Sequence, residues 1–179
     1  MELAVVLHNI RSIHNVASIF RTADGAGVKK IYLCGITPAP VDLSAWDAQA
    51  GRFGKVRPQF AKVSLGAEKF VEWEHCVSTV RVIKKLKADG YKIFAIEQDK
   101  KSIPYYRVKR KEKKIALVLG NEVRGLPPSI LKQCDRILEI PMQGAMVRQA
   151  DHPRRSRRGK ESLNVSVAFG VAAYRLQFP

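Results

Sequence analysis

The run Lys114-Ile115-Ala116-Leu117-Val118-Leu119 breaks directly into Gly120-Asn121-Glu122-Val123-Arg124-Gly125-Leu126-Pro127-Pro128, and this change of character decides the class of fold. Five consecutive apolar residues after a lysine are the pattern of a strand covered on both faces, as in the parallel sheets of α/β proteins. Gly120 and Gly125 permit a tight turn and close approach of another backbone or a ligand. Pro127 and Pro128 suit the start of a short helix through Ser129-Ile130-Leu131.

Further strands of the same kind lie on either side. Leu3 to Leu7 is a continuous apolar run, and Ile31-Tyr32-Leu33-Cys34-Gly35 reads as the next strand. Between them Val16, Ile19, Phe20 and Ala23 fall at helical spacing, closed by Gly25 and Gly27. The three pieces have the length of a strand, crossover helix and parallel strand. Asn15 sits near the start of that helix and Arg21 off its apolar stripe, free to face a cleft. Periodicity is lost from Thr37 to Ser64, which reads as a long loop, functional or merely solvated. Val80, Ile83 and Leu86 then mark a helix ending at Asp89-Gly90, and Lys92 to Glu97 a strand ending in an acid. Arg107 to Lys114 is mostly cationic and reads as a solvated connection.

Toward the C-terminus, Ile137 to Ile140 is a strand stopped by Pro141. From Leu163 to Leu176 only Asn164, Ser166, Tyr174 and Arg175 interrupt small and apolar residues. A helix there is apolar almost all round and is expected to be buried. Ser162 and Asn164 in its first turn serve either as an ordinary cap or as the place where a ligand is held.

A chain of 179 residues suits one domain spanning 1–179 with a substantial core. No run is long enough to cross a membrane and no signal peptide is evident, so a cytoplasmic location is expected. Cys34, Cys76 and Cys134 are odd in number and widely spaced, which favours reduced thiols over a disulfide framework or a zinc site. Lys and Arg number 32 against 16 Asp and Glu, a net charge of +16, so the partner expected is a polyanion. Charge alone leaves ribosomal-type binders, membrane-surface proteins and nucleic-acid enzymes equally open.

Glu97, Gly120 and Pro141 each end an apolar strand, so a parallel sheet sets all three along one edge, where ligands of open α/β sheets bind. A Gly-x-Gly-x-x-Gly turn after the first strand and a Walker-type phosphate loop are both missing. Neither Ser/His/Asp spacing, nor a metal cluster, nor paired carboxylates supply machinery for hydrolysis.

Three segments together resemble the motifs of the SpoU/TrmH-like RNA 2′-O-ribose methyltransferases of the SPOUT superfamily. They are Asn15 to Ala23 followed by Gly27; Leu117 to Glu122 with Gly125-Leu126; and Ile140-Pro141-Met142 with Ser162 to Ala168. Asn9 to Ser12 and Leu65 to Glu68 extend the resemblance over nearly the whole chain. It implies an α/β domain, a mostly parallel sheet with helices on both faces, whose C-terminal part is threaded into a deep trefoil knot. It also implies S-adenosylmethionine bent in the knot, contacted by the loops carrying Glu97, Leu119, Gly120, Asn121, Ile140, Met142, Ser162 and Leu163. A homodimer acting on tRNA or rRNA follows from the same resemblance, with Arg21 at the ribose and Asn15, Glu122, Ser162 and Asn164 around it. A guanidinium is a poor proton acceptor, which favours Arg21 as a phosphate and alkoxide stabiliser; Arg21 as the base stays open. No metal is implied.

Nineteen residues, Gln143 to Glu161, separate Met142 from Ser162, more than the resemblance implies. This basic insertion either extends an RNA-binding surface or is a solvated excursion. In relatives the loop wraps the methionine end of the cofactor, so an RNA-binding protein with impaired methyl transfer is the alternative reading. Without an appended RNA-binding module, substrate recognition is expected from the catalytic domain and its dimer.

Overall fold

The computed structural model describes residues 1–44, 46–47, 52–108, 111–143 and 162–178. In chain order the strands are β1 (Glu2–His8), β2 (Lys30–Cys34), β3 (Trp46–Asp47), β4 (Arg52–Phe53), β5 (Glu72–Cys76), β6 (Lys92–Ile96), β7 (Ile103–Pro104), β8 (Lys114–Leu119) and β9 (Arg136–Glu139). Seven of them form one sheet in the order β5-β2-β1-β8-β6-β9-β7, while β3 and β4 pair separately. Every pairing in the large sheet is parallel. The α-helices among the described residues are α1 (Ile13–Gly25), α2 (Pro58–Ser64), α3 (Thr79–Ala88), α4 (Pro128–Leu131) and α5 (Val165–Gln177).

The centre of the sheet is β8, held between β1 and β6, with Leu117 in register with Val5 and Phe94. Successive side chains of a strand point to opposite faces, and the core divides accordingly. Leu3, Val5, Leu7, Leu117 and Leu119 pack with Val16, Ile19 and Phe20 of α1, Phe60 of α2 and Phe169 and Ala172 of α5. Ala4, Val6, Ala116 and Val118 pack with Val82, Ile83 and Leu86 of α3 and Ile130 of α4. Phe20 and Phe60 meet edge to face at 5.2 Å, which seats α2 on α1. Both faces of the sheet are therefore covered by helices, and only its strand ends are left for a site.

Two expectations from the sequence change, and one strand is added that the sequence pattern did not mark. Thr37 to Ser64 is not a plain loop: it holds α2, started by Pro58 after Arg57, and the short β3–β4 pair. Its entry is pinned, because the Thr37 hydroxyl, 1% exposed, lies within hydrogen-bonding distance of the Leu7 and Cys34 carbonyls and accepts from the Ile10 N–H. Strand β5, Glu72-Trp73-Glu74-His75-Cys76, carries no apolar run because it is an edge strand partnered by β2 alone. Helix α5 is not buried all round. Phe169, Ala172, Ala173 and Leu176 face the core, whereas Val167 is 51% and Tyr174 46% exposed. A helix in the outer layer of a two-sided sheet can bury only the stripe that touches it.

The insertion expected at 143–161 lies, apart from Gln143, outside the described residues, and with it the connection from β9 to α5 that the resemblance threads into a knot. Among the described residues no helix is long and apolar enough to cross a membrane.

Candidate active site

The carboxyl ends of β1, β8, β6 and β9 lie side by side, and the turns that follow them are tied to one another. Chain leaving β1 turns at Asn9, whose φ of +55° is rare for a residue with a side chain and is tolerated best by Asn and Asp. Among the bonds that fix it there, the Asn121 side-chain amide donates to the Asn9 carbonyl at 2.8 Å, the Ile36 N–H donates to Asn9 Oδ1 at 3.1 Å, and the Asn9 N–H donates to the Cys34 carbonyl at 3.1 Å. Asn121 in turn accepts at Oδ1 from the N–H groups of Val123 and Arg124, both at 3.0 Å. The Gly125 N–H closes the turn on the Asn121 carbonyl at 2.9 Å.

Both glycines of this turn are required by contact. Gly125 has a φ of +62°, and a Cβ there would run into the Glu97 carboxylate. A Cβ on Gly120 would lie 2.5 Å from the Gly125 carbonyl carbon. Glu97 is itself used by the turn, accepting from the Leu126 N–H at 2.8 Å and the Gln98 N–H at 2.9 Å. The acid ending β6 thus clamps the loop leaving β8.

Glu122 sits where α1 begins. One carboxylate oxygen accepts from the Arg11 N–H at 3.0 Å; the other accepts from the Ser12 N–H at 3.1 Å and from Asn15 Nδ2 at 2.9 Å. Burial raises the Glu122 pKa, but the hydrogen bonds from Arg11, Asn15 and Ser12 outweigh it and leave it below the ordinary carboxylate value. A carboxylate so occupied, at the positive end of a helix, is an organising anion and a poor proton acceptor. Ser12 caps α1 through its hydroxyl, which accepts from the Asn15 N–H.

The network continues to the other end of the chain. Asn164 Nδ2 donates to Asn15 Oδ1 at 3.0 Å, while Asn164 Oδ1 caps α5 by accepting from the Ser166 N–H at 2.9 Å. Asn15, Glu122 and Asn164, expected on sequence grounds to act together, form one hydrogen-bonded row. Arg21 does not join it. It is exposed on α1, six residues past Asn15, roughly 9 Å further along the axis, and forms no ion pair with a described residue. Ser162 is exposed ahead of the α5 cap; Ile140, Met142 and Leu163 are half-buried, and Leu119 is buried at the end of β8.

Asn9, Ser12 and the Arg11 amide are working parts of this network that the apolar pattern of the sequence does not single out. Ser12 was findable, since a serine ahead of an apolar helical stripe is a capping signal. The role of Asn9 depends on a partner 112 residues away, which no local pattern reports.

A model of the family described as SpoU rRNA Methylase matches residues 2–147, a match that stops short of Ser162. Over 176 residues the chain is 29% identical to the tRNA (guanosine(18)-2′-O)-methyltransferase of Aquifex aeolicus (strain VF5), covering 98% of this chain and 69% of that protein. It is 28% identical over 173 residues to the 23S rRNA (guanosine-2′-O-)-methyltransferase RlmB of Acinetobacter baylyi (strain ATCC 33305 / BD413 / ADP1), of whose length it spans 58%, under two thirds. Among solved structures, the TrmH/SpoU tRNA modifying enzyme of A. aeolicus superposes with a TM-score of 0.71 at 28% identity, over 98% of this chain and 74% of that one. An AdoMet-bound rRNA methyltransferase from Sinorhizobium meliloti superposes with a TM-score of 0.75 at 24% identity, over 98% and 56%, a likeness of fold.

Proposed function

Because the chain belongs to the SpoU rRNA methylase family, we propose that it transfers a methyl group from S-adenosylmethionine to a ribose 2′-hydroxyl of tRNA or rRNA. The observation that carries this reading is the row Asn15–Glu122–Asn164, which joins the three motif segments at the strand ends. Residues 1–179 are read as one catalytic domain with a basic insertion at about 143–161, working in the cytoplasm as a homodimer.

The residues at the carboxyl ends of β6, β8 and β9 fit a bound S-adenosylmethionine. The main chain of Leu119, Gly120 and Asn121 after β8 and the half-buried Ile140 and Met142 after β9 stand at the same sheet edge, on either side of the end of β6, with Leu163 half-buried ahead of α5; together they offer backbone and apolar surface suited to a flat heterocycle. Glu97 holds the Gly125-Leu126 side of that wall. When bound, the cofactor supplies an electrophilic sulfonium methyl group.

The chain's own task is to bring a ribose oxygen in line with that methyl and to ease the loss of its proton. Orientation alone is worth several kcal/mol in such a transfer. Arg21 stays protonated at any working pH, so it binds the phosphate flanking the target ribose and offsets charge developing on the 2′-oxygen, while the proton leaves to phosphate or solvent. Asn15, Ser162 and Asn164 supply hydrogen bonds around the ribose, and Glu122 keeps Asn15 and the start of α1 in place.

The second subunit belongs on the outer face of α5. Val167, Tyr174 and Phe178, 51%, 46% and 63% exposed, present apolar surface. A Cβ on Gly25 would lie 3.0 Å from the Tyr174 hydroxyl, so this surface is continuous with the exposed side of α1 that carries Arg21. A closed two-fold dimer through it brings Arg21 to an interface.

The test is calorimetry of S-adenosylmethionine binding, followed by transfer of labelled methyl to bulk RNA and nucleoside analysis for 2′-O-methylation. Binding and transfer together are expected. Binding of RNA without methyl transfer to any fraction would overturn the reading in favour of an RNA-binding protein.

A further inference from the structure

The sheet edge does not stop at the site. Past β1 it continues over the ends of β2 and β5, where His8, Cys34 and Cys76 stand in register. Two aliphatic side chains project there into solvent: Ile36, 68% exposed, and Val77, 91% exposed. They stand on neighbouring turns that are pinned. The Gly35 N–H donates to the Cys76 carbonyl at 2.9 Å, the Ile36 N–H to Asn9 Oδ1 at 3.1 Å, and Ser78 caps α3 by accepting from the Arg81 N–H. Neither side chain buries its apolar surface in the fold, and on neighbouring pinned turns the two offer a small rigid apolar contact surface.

The turns that carry them, residues 9–12, 35–41 and 77–82, hold no acid, and the carboxylates at the margins, Glu122 and Glu74, are engaged by the Arg11, Ser12 and Asn15 N–H groups and by Lys30. Arg81 flanks the pair on the β5 side, and Arg11 and Arg124 on the side of the site. All three are exposed, and none forms an ion pair with a described residue. With strands about 4.8 Å apart, the four strand ends from β5 to β8 span about 14 Å, the scale of a few nucleotides. A duplex would offer this edge only phosphates and sugars, leaving Ile36 and Val77 without a partner. An unpaired segment offers phosphates and also the apolar faces of unstacked bases.

We infer that the edge from the site to β5 is a docking track for single-stranded RNA, with Arg11, Arg81 and Arg124 on phosphates and Ile36 and Val77 under unstacked bases. The substrate of the site is then a nucleotide in a loop or an unpaired stretch. This deepens the methyltransferase reading and rests on it for the identity of the polyanion. Because the turns are preformed, docking needs little ordering of the protein.

The test separates binding from transfer. Fluorescence anisotropy with a labelled oligouridylate and with a blunt A-form RNA duplex compares the full chain with the Ile36→Ser/Val77→Ser double variant and with Arg81→Ser. The double variant should lose about tenfold in affinity for the oligouridylate, with the duplex and the salt dependence unchanged. Arg81→Ser should make the slope of log affinity against log salt shallower by about 0.7. Both variants should bind S-adenosylmethionine and unfold as the wild type does. Equal loss for both probes, or wild-type binding by the double variant, overturns the track. If the variants behave as expected while no RNA is methylated, the track stands and the methyltransferase reading falls. If methylation proceeds with an RNA KM that the double variant leaves unchanged, the track falls and that reading stands.

Discussion

The side-chain amide of Asn164 donates a hydrogen bond of 3.0 Å to Oδ1 of Asn15, across 149 residues of chain. The same Asn15 donates through Nδ2 to Glu122, so the starts of the first and last helices and the turn after β8 share one polar row. Loosening any member releases its neighbours.

Glu122→Gln keeps the size of the side chain but turns an amide N–H₂ toward a backbone N–H or toward Asn15 Nδ2. The fold should lose about 1–3 kcal/mol, the cost of an unmet donor, read as a shift of the urea midpoint. The folded Glu122 pKa lies below its ordinary 4.5, so the carboxylate's stabilisation is intact above that value and is lost as pH falls through the depressed one. The wild-type advantage over the variant should therefore shrink below pH 4.5, and an advantage constant down to the acid transition would contradict this role.

Gly125→Ala and Gly66→Ala both place a side chain at positive φ, +62° and +93°. Only the first also drives a Cβ into Glu97, since nothing lies within 4 Å at Gly66. Gly66→Ala should cost about 1 kcal/mol from backbone strain alone, and Gly125→Ala about 3 kcal/mol or more. Denaturant unfolding of the two measures the steric part by difference, and Gly125→Ala should also weaken S-adenosylmethionine binding.

Arg21→Ala should leave folding and cofactor affinity near wild type, because the side chain is exposed and unpaired among the described residues. Methyl transfer should fall by 100-fold or more, the scale of losing one positioned charge, about 3 kcal/mol. Near-normal turnover by a folded variant would remove Arg21 from the reaction.

Val167→Asp adds a charge to the exposed face of α5, where Val167 is 51% accessible in the single chain. The protomer should fold normally, and light scattering should report a monomer for the variant against the dimer proposed for the wild type. Methyl transfer should fall with dimerisation; an unaltered dimer would move the interface elsewhere.

The strands buried on both faces were legible because burial leaves a local record. Leu3 to Leu7, Ile93 to Ile96 and Ile115 to Leu119 are apolar without a break, and all lie inside the sheet. The turn at Gly120 and Gly125 and the cap at Asn164 were legible for a similar reason, since close approach and helix starts demand particular residue types nearby. Strand β5 left no such record, because at an edge it is only part-buried: Trp73 packs on the core and Glu74 pairs with Lys30, and backbone pairing to β2 needs no apolar run. Helix α5 misled in the opposite direction: an apolar composition fixes a demand for cover without saying whether the core or another surface meets it. Tertiary structure alone decided the order β5-β2-β1-β8-β6-β9-β7 and the sharing of Glu122 among Arg11, Ser12 and Asn15. Backbone donors and acceptors are alike in every strand and turn, so which of them meet is settled by the packing of the whole chain, and residue pattern carries only each segment's need for a partner.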